Sequence, residues 1–195
     1  MKKLYTTLLL FTVSAGFVFS QTTWKADPAH TRVRFSATHM LIAEVSGEFR
    51  EFDGKIVSYN EDFIDAEVTF TAMVGSLDSD NERRDGHLKS DDFFNVEKFP
   101  ELKISGKITK EGDKLYLVGE MTIRDITKPI KFDVKYNGQI NTRRGKKAGF
   151  KVTGTVNRFD YDMKFSGAVE AGGLIVSEEI EITVTSELIE QTGDN

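Results

Sequence analysis

The residues able to do chemistry are few: the chain has three histidines and no cysteine. Asp85-Gly86-His87 puts two metal-ligating side chains close together, but no cysteine or further nearby histidine completes a three- or four-ligand site. His39 or His87 beside Asp85 or Asp160 has the make-up of a general acid–base pair, provided that the partners meet and face a bound substrate. No Gly-x-Ser-x-Gly elbow, Gly-rich phosphate loop or His-Glu-x-x-His accompanies them. The lack of cysteine also removes thiol catalysis and disulfides. These signals predict a protein that is not an enzyme and has neither a metal nor a covalent cofactor. Arg84, Asp85 and His87 are then pins that hold a short helical insert to the mouth of the fold by hydrogen bonds.

The elements that must position these residues read as strands. Val33, Phe35 and Ala37 alternate with Arg32, Arg34 and Ser36, and Ala66, Val68, Phe70, Ala72 and Val74 alternate with Glu67, Thr69 and Thr71. The same period of two carries Leu102 to Ile108, Ile130 to Val134, Phe150 to Val156 and Ile180 to Val184. Such runs are half-buried strands with one wet face. Two more are predicted over residues 45–59, with a break near Asp53-Gly54, and over residues 114–124. Glu111-Gly112-Asp113 and Gly172-Gly173 read as turns, and Asn137-Gly138 as the start of a loop through Lys147. Ser79-Asp80-Asn81-Glu82 fits a capping box, which predicts a short helix from about residue 80 to residue 89. About eight antiparallel strands either close into a barrel or pair as a sandwich, and closure removes the exposed edges.

The inward face decides what such a barrel would hold. Gly106, Gly119 and Gly154 fall on apolar faces, as do Ala37, Ala66 and Ala72. Either these small residues leave a hollow apolar lumen, or the glycines let strands bend at barrel corners. His39 continues the face of Val33, Phe35 and Ala37, and Arg158 continues that of Phe150, Val152 and Val156. Both stand at strand ends, near a rim. They either meet the polar head of a ligand whose tail lies deeper, or His39 bonds to backbone and Arg158 snorkels to water.

Lys2 and Lys3 precede an almost wholly apolar stretch from Leu4 to Phe19, closed by the small Ser20, which is the pattern of a cleaved secretory signal over residues 1–20. Residues 21–195 then have the length of one domain. The whole chain carries a formal charge of −5, so without the two signal lysines the rest carries −7. That balance argues against nucleic acid and against electrostatic docking on anionic membranes. The basic run from Arg143 to Lys147 is a solvated loop or a docking patch.

With these residues laid out, the chain resembles the YceI-like family of polyisoprenoid-binding, lipocalin-like bacterial proteins. The resemblance is carried by Asp27-Pro28-Ala29-His30-Thr31, Gly47-Glu48-Phe49 and Phe52-Asp53-Gly54. Its most specific part is Ser76-Leu77-Asp78, then Arg84-Asp85-Gly86-His87-Leu88, Asp92-Phe93-Phe94 and Phe99-Pro100. Gly119 to Arg124, Lys128-Pro129-Ile130 and Asn157 to Tyr161 continue it in order over nearly all of the mature chain. The resemblance implies an all-β fold: an extended antiparallel eight-stranded β-barrel, lipocalin-like, with one short helical insert. It also implies export to the periplasm, no established enzymatic activity, and a non-covalent cargo that is an isoprenoid, an isoprenoid quinone or a fatty-acid derivative. In that reading Phe35, Phe70, Phe132 and Phe150 line the tail, His39 and Arg158 meet the head, and Arg84, His87 and Phe94 stand at the mouth. The expected partner is a lipid; a transient membrane or donor-protein contact and a homodimer (through Tyr116 and Val118) stay open. Two positions depart from the family's usual glycine, Asp125 and Asp162. Aspartate tolerates the left-handed backbone that a turn there requires.

Overall fold

The computed structural model describes residues 21–143, 145–168, 170 and 172–191. The predicted leader, residues 1–20, lies outside them. The first five strands are β1 (Thr22–Ala26), β2 (Arg32–His39), β3 (Ala43–Phe49), β4 (Phe52–Ser58) and β5 (Glu67–Met73). A two-residue strand β6 (Leu77–Asp78) leads into the helix α1 (Glu82–Lys89). Then come β7 (Glu101–Glu111), β8 (Lys114–Ile123), β9 (Ile126–Thr142), β10 (Gly145–Asn157) and β11 (Val176–Gln191).

These strands fill eight positions in a closed antiparallel barrel. Both β1 and β2 pair with β11, β1 over residues 188–191 and β2 over residues 176–185. They are two halves of one position, interrupted by residues 27–31. β3 pairs with β2 and β4 with β1, so these are also halves of one position. β5 and β6 repeat the split against β4 and β3. The ring then runs β5–β7–β8–β9–β10–β11 and closes because β1 bonds to both β4 and β11. Inward side chains build the core, among them Ile56, Leu102, Ile104, Ile108, Leu117, Met121, Phe132 and Phe150. Phe63, fully buried, folds in from the β4–β5 connection and plugs one end. It packs against Trp24, Tyr136 and Phe150 at centroid distances of 5.2, 5.3 and 5.0 Å. The opposite end carries α1, the β2–β3 turn and residues 158–168 and 172–175, and there the barrel opens.

Four local expectations are corrected. The break inside residues 45–59 falls at Arg50-Glu51 rather than at Asp53-Gly54. There the Ser76 hydroxyl accepts from the Glu51 amide at 2.9 Å, tying the step between the two half-strands to the β5–β6 connection. No long loop runs from Asn137 to Lys147. β9 continues to Thr142 and β10 begins at Gly145, and Asn137 is the extra residue of a bulge opposite Gly149-Phe150. Gly138 absorbs that bulge at φ +99°, a conformation that glycine alone adopts cheaply. The capping box does not form: the cap is Asn81, whose side chain accepts from the Arg84 amide, while Ser79 bonds to Asp85. Finally, the left-handed residue of the β8–β9 turn is Arg124 (φ +57°) and not Asp125, whereas Asp162 takes that conformation as anticipated (φ +59°).

Candidate functional site

A cavity of about 580 Å³ occupies the open half of the barrel. Its walls include Phe35, Ala37, Phe70, Ile104, Met121, Val156, Ile180 and Ile182, and it reaches the surface beside Asn81, Arg83 and His87. A second compartment of about 80 Å³ lies deeper. It shares Phe70, Ile104, Ile182 and Val184 with the first and adds Phe132, Val134 and Phe150. A long interior with apolar walls and a few polar groups at one end is the plan of a site for an extended apolar molecule.

The sequence-predicted residues divide within this plan. Phe35, Phe70 and Phe94 line the large cavity, as do His39, Arg84, His87 and Arg158. Phe132 and Phe150 line only the deep compartment, where Phe150 belongs to the plug around Phe63. Arg158 is neither a snorkelling side chain nor free for a ligand head: it is only 1 % exposed. Its Nε donates to Ser177 O at 2.9 Å, its Nη1 to Met163 O at 3.1 Å and its Nη2 to Val176 O at 3.2 Å. The Phe159 ring lies 4.1 Å from the guanidinium carbon. Among the described residues no carboxylate stands within salt-bridge distance, and burial pushes the Arg158 pKa down. Arg158 thus clamps the start of β11 to the segment after β10.

The other polar groups at the mouth are also mostly taken. Arg84 Nε donates to Ser79 Oγ at 2.8 Å, and Asp85 accepts from the Ser79 amide at 2.9 Å. His87 Nε2 lies 3.0 Å from Asp92 Oδ2, with the rings of Phe93 and Phe165 edge-on to it. These bonds run to Ser79, just after β6, and to Asp92, so they tie the insert mainly to itself rather than to the barrel mouth, and among the described residues neither His39 nor His87 is paired with Asp85 or Asp160. Besides Thr38, whose amide alone is bonded, two cavity-lining polar side chains have no partner among the described residues. One is His39, the last residue of β2; the other is Arg83 on α1. Sequence reasoning found the first by its parity and missed the second. Its only signal was its place in the first turn of a helix over an apolar face.

Arg124 was also missed. Its Nη1 donates to the carbonyls of Asp91, Phe93 and Asp162 at 3.1, 3.0 and 2.8 Å, and its Nη2 bonds to Asp91 Oδ1 at 3.0 Å. One side chain therefore ties the β8–β9 turn to two segments of the rim. The Asp91 carboxyl is held below the usual range, chiefly by a hydrogen bond from Asn95 and further by the Arg124 charge.

The inward glycines do not make the lumen. A Cβ at Gly119 would sit 2.1 Å from Ser105 O, and one at Gly106 would sit 2.6 Å from Val118 O, so the paired glycines let β7 and β8 approach backbone to backbone. A Cβ at Gly154 would fall 2.0 Å from the Phe132 ring, which already fills that gap. Hollowness comes instead from Ala37, Val45, Val156 and the short aliphatic residues of β11.

Elsewhere, Asp27, His30 and Glu187 bring one ligand atom each within 4.8 Å of one another. The Lys147 ammonium lies 2.5 Å from Glu187 and 3.8 Å from Asp27, and His30 Nδ1 lies 2.8 Å from Asp27 Oδ2. The cluster is satisfied internally by its own cations, and it joins the kink between β1 and β2 to β10 and β11.

Comparison with known proteins follows from this geometry. A model of the YceI-like domain matches residues 24–188. A UPF0312 protein of Staphylococcus aureus strain MSSA476 is 34% identical over 168 residues, covering 85% of this chain and 96% of the relative. The crystal structure of the Campylobacter jejuni YCEI protein is 25% identical and superposes with a TM-score of 0.68 over 80% of this chain and 90% of that one. A structure described as a polyisoprenoid binding domain from Saccharophagus degradans shares the fold at 9% identity, with a TM-score of 0.63 over 86% of this chain and 98% of that one.

Proposed function

The chain belongs to the YceI-like family, and from that premise we propose that it is an exported carrier or store of a long-chain apolar lipid. The cargo is an isoprenoid, an isoprenoid quinone or a fatty-acid derivative, held in the barrel without covalent attachment. The observation that carries this reading is the apolar cavity of about 580 Å³, open at the α1 end and continued by the deep compartment. Each methylene moved from water into such walls contributes about 0.8 kcal/mol, so a long chain binds without any charged anchor. His39 and Arg83, which line the mouth and have no partner among the described residues, meet the head group. The described binding of polyisoprenoid by the Saccharophagus degradans domain, on the same fold, supports this cargo class. The signal pattern over residues 1–20 supports export to the periplasm.

Binding without catalysis fits the site better than head-group chemistry. Among the described residues no carboxylate pairs with His39, and the His87–Asp92 pair is already edge-packed by Phe93 and Phe165. The test is native mass spectrometry of the protein purified from the periplasm without detergent, followed by solvent extraction of its ligand. A stoichiometric adduct, lost on denaturation and recovered as a long-chain lipid, is expected. Ala37→Trp, which fills the cavity from β2, is expected to lower uptake of the recovered lipid about ten-fold or more, since an indole displaces several methylenes. Equal uptake by that variant would place the ligand elsewhere. A protein that is bare and refuses added quinones and fatty acids would end the carrier reading.

A further inference from the structure

The turn between β2 and β3 carries Met40, Leu41 and Ile42 in succession, and they are 46%, 57% and 89% exposed. The other large exposed apolar residues among those described, Tyr59, Val118, Ile140 and Phe159, stand singly along the chain. The tip is built rather than loose. Met40 N donates to Ile175 O at 2.8 Å, Ile42 N donates to His39 O at 3.2 Å, and the Leu41 side chain lies against Gly173. Met40 and Leu41 are both held at positive φ, +49° and +67°, a conformation that non-glycine residues rarely take. The residues on either side of the tip's anchor, His39 and Ile175, line the cavity. Three apolar side chains therefore stand in water on the lip of the mouth.

We propose that residues 40–42 are a membrane-docking tip that inserts among acyl chains and holds the mouth against the bilayer from which cargo is taken. This inference rests on the lipid-carrier reading of the cavity. A bilayer suits the patch better than a second copy of the chain. Three partly exposed side chains offer roughly a few hundred Å² at most, well under the ~800 Å² per partner of a stable dimer. The tip carries no charge, and the nearest acidic residue along the chain is Glu44. With a net charge of −7 on the mature chain (the whole-chain −5 without Lys2 and Lys3), attraction to anionic lipid is not the driving force. Binding is then driven by buried apolar area, and it needs neither anionic lipid nor low salt.

The test is co-sedimentation of the protein and its Leu41→Ser/Ile42→Ser double variant with phosphatidylcholine vesicles, at low and high salt. The wild type is expected to sediment at both, and the variant's bound fraction to fall about five-fold or more, as expected for losing two partly buried aliphatic groups. Both substitutions lie outside the cavity, so folding by circular dichroism and uptake of a fluorescent fatty acid from vesicle-free solution stay unchanged. A wild type that stays in the supernatant, or a variant that sediments equally, overturns the docking tip. So does a wild-type dimer that the two substitutions dissolve, which assigns the tip to a second copy. A wild type that sediments through the tip yet takes up no chain from solution upholds docking and sinks the carrier reading, so the two failures are distinguishable.

Discussion

Arg158 shows how a residue can be legible in position and opaque in role. Its parity placed it inward at a strand end, and the structure puts it on the cavity wall, but its donors go to three carbonyls that the sequence does not name. Those carbonyls belong to Met163, in an irregular stretch, and to Val176 and Ser177, which precede the start of β11 pairing with β10 at Glu179 and so lack partners on that side. A ligand-contact role predicts lost binding with stability kept; the observed bonds predict the reverse order of effects. Arg158→Met should lower unfolding free energy by about 3 kcal/mol or more, because each buried acceptor left unpaired costs about 1–3 kcal/mol. Arg158→Lys should recover part of it. The urea midpoint measures both, and a midpoint unchanged in Arg158→Met would refute the clamp. His39 is the opposite case, since among the described residues nothing bonds to its ring.

At the scale of elements, period-two alternation located every long strand, because one face of each is buried and the pattern cannot slip by one residue without inverting it. It failed where a bulge resets parity. At Asn137 the alternation of β9 breaks, so a continuing strand reads as a loop until Gly138 is seen absorbing the extra residue. The helix was legible and its cap was not, since Ser79, Asp80 and Asn81 all have capping side chains and only the contact of Ser79 with Asp85 decides among them. The glycines make a prediction at this scale. Gly119→Ala forces a Cβ against the Ser105 carbonyl across the β7–β8 pair and should cost about 3 kcal/mol or prevent folding. Gly86→Ala, in the interior of α1 with open space around it, should stabilise by about 0.5–1 kcal/mol. Thermal unfolding of the two variants separates a close-approach glycine from an incidental one, and similar midpoints would contradict the packing described.

The barrel depends on bonds between the first and last described strands. β11 closes the ring against β1 and β2, and the Asp27 amide donates to Glu187 O at 2.8 Å. Beside that bond, the Asp27 carboxyl is held below its ordinary value, chiefly by the His30 hydrogen bond, then by the Ala29 amide and by the His30 and Lys147 charges, with burial opposing. A carboxyl whose folded pKa is depressed adds stability above its unfolded value, about 3.9, and loses it as pH falls through the lower folded value. Asp27→Asn should therefore be less stable than wild type near pH 6, and the gap should close below about pH 4. Chemical denaturation at a series of pH values reads this directly, and a gap that does not change with pH would remove the carboxylate from the account.

The sequence by itself determined the long strands, the wet and dry faces, the short helix and the resemblance that names the family, because each rests on local periodicity or on residue order, whereas it does not show the short β1 and β6. It also placed His39 and the aromatic lining, since parity carries a side chain inward wherever the ladder is regular. Alternation alone left barrel and sandwich open and the resemblance pointed to the barrel; the tertiary structure shows it, because closure is a pairing of β1 with β11 across almost the whole described chain. It likewise decided which small residues leave space: the volume behind a glycine depends on the strand opposite, so Gly119 marks contact where Ala37 marks a cavity.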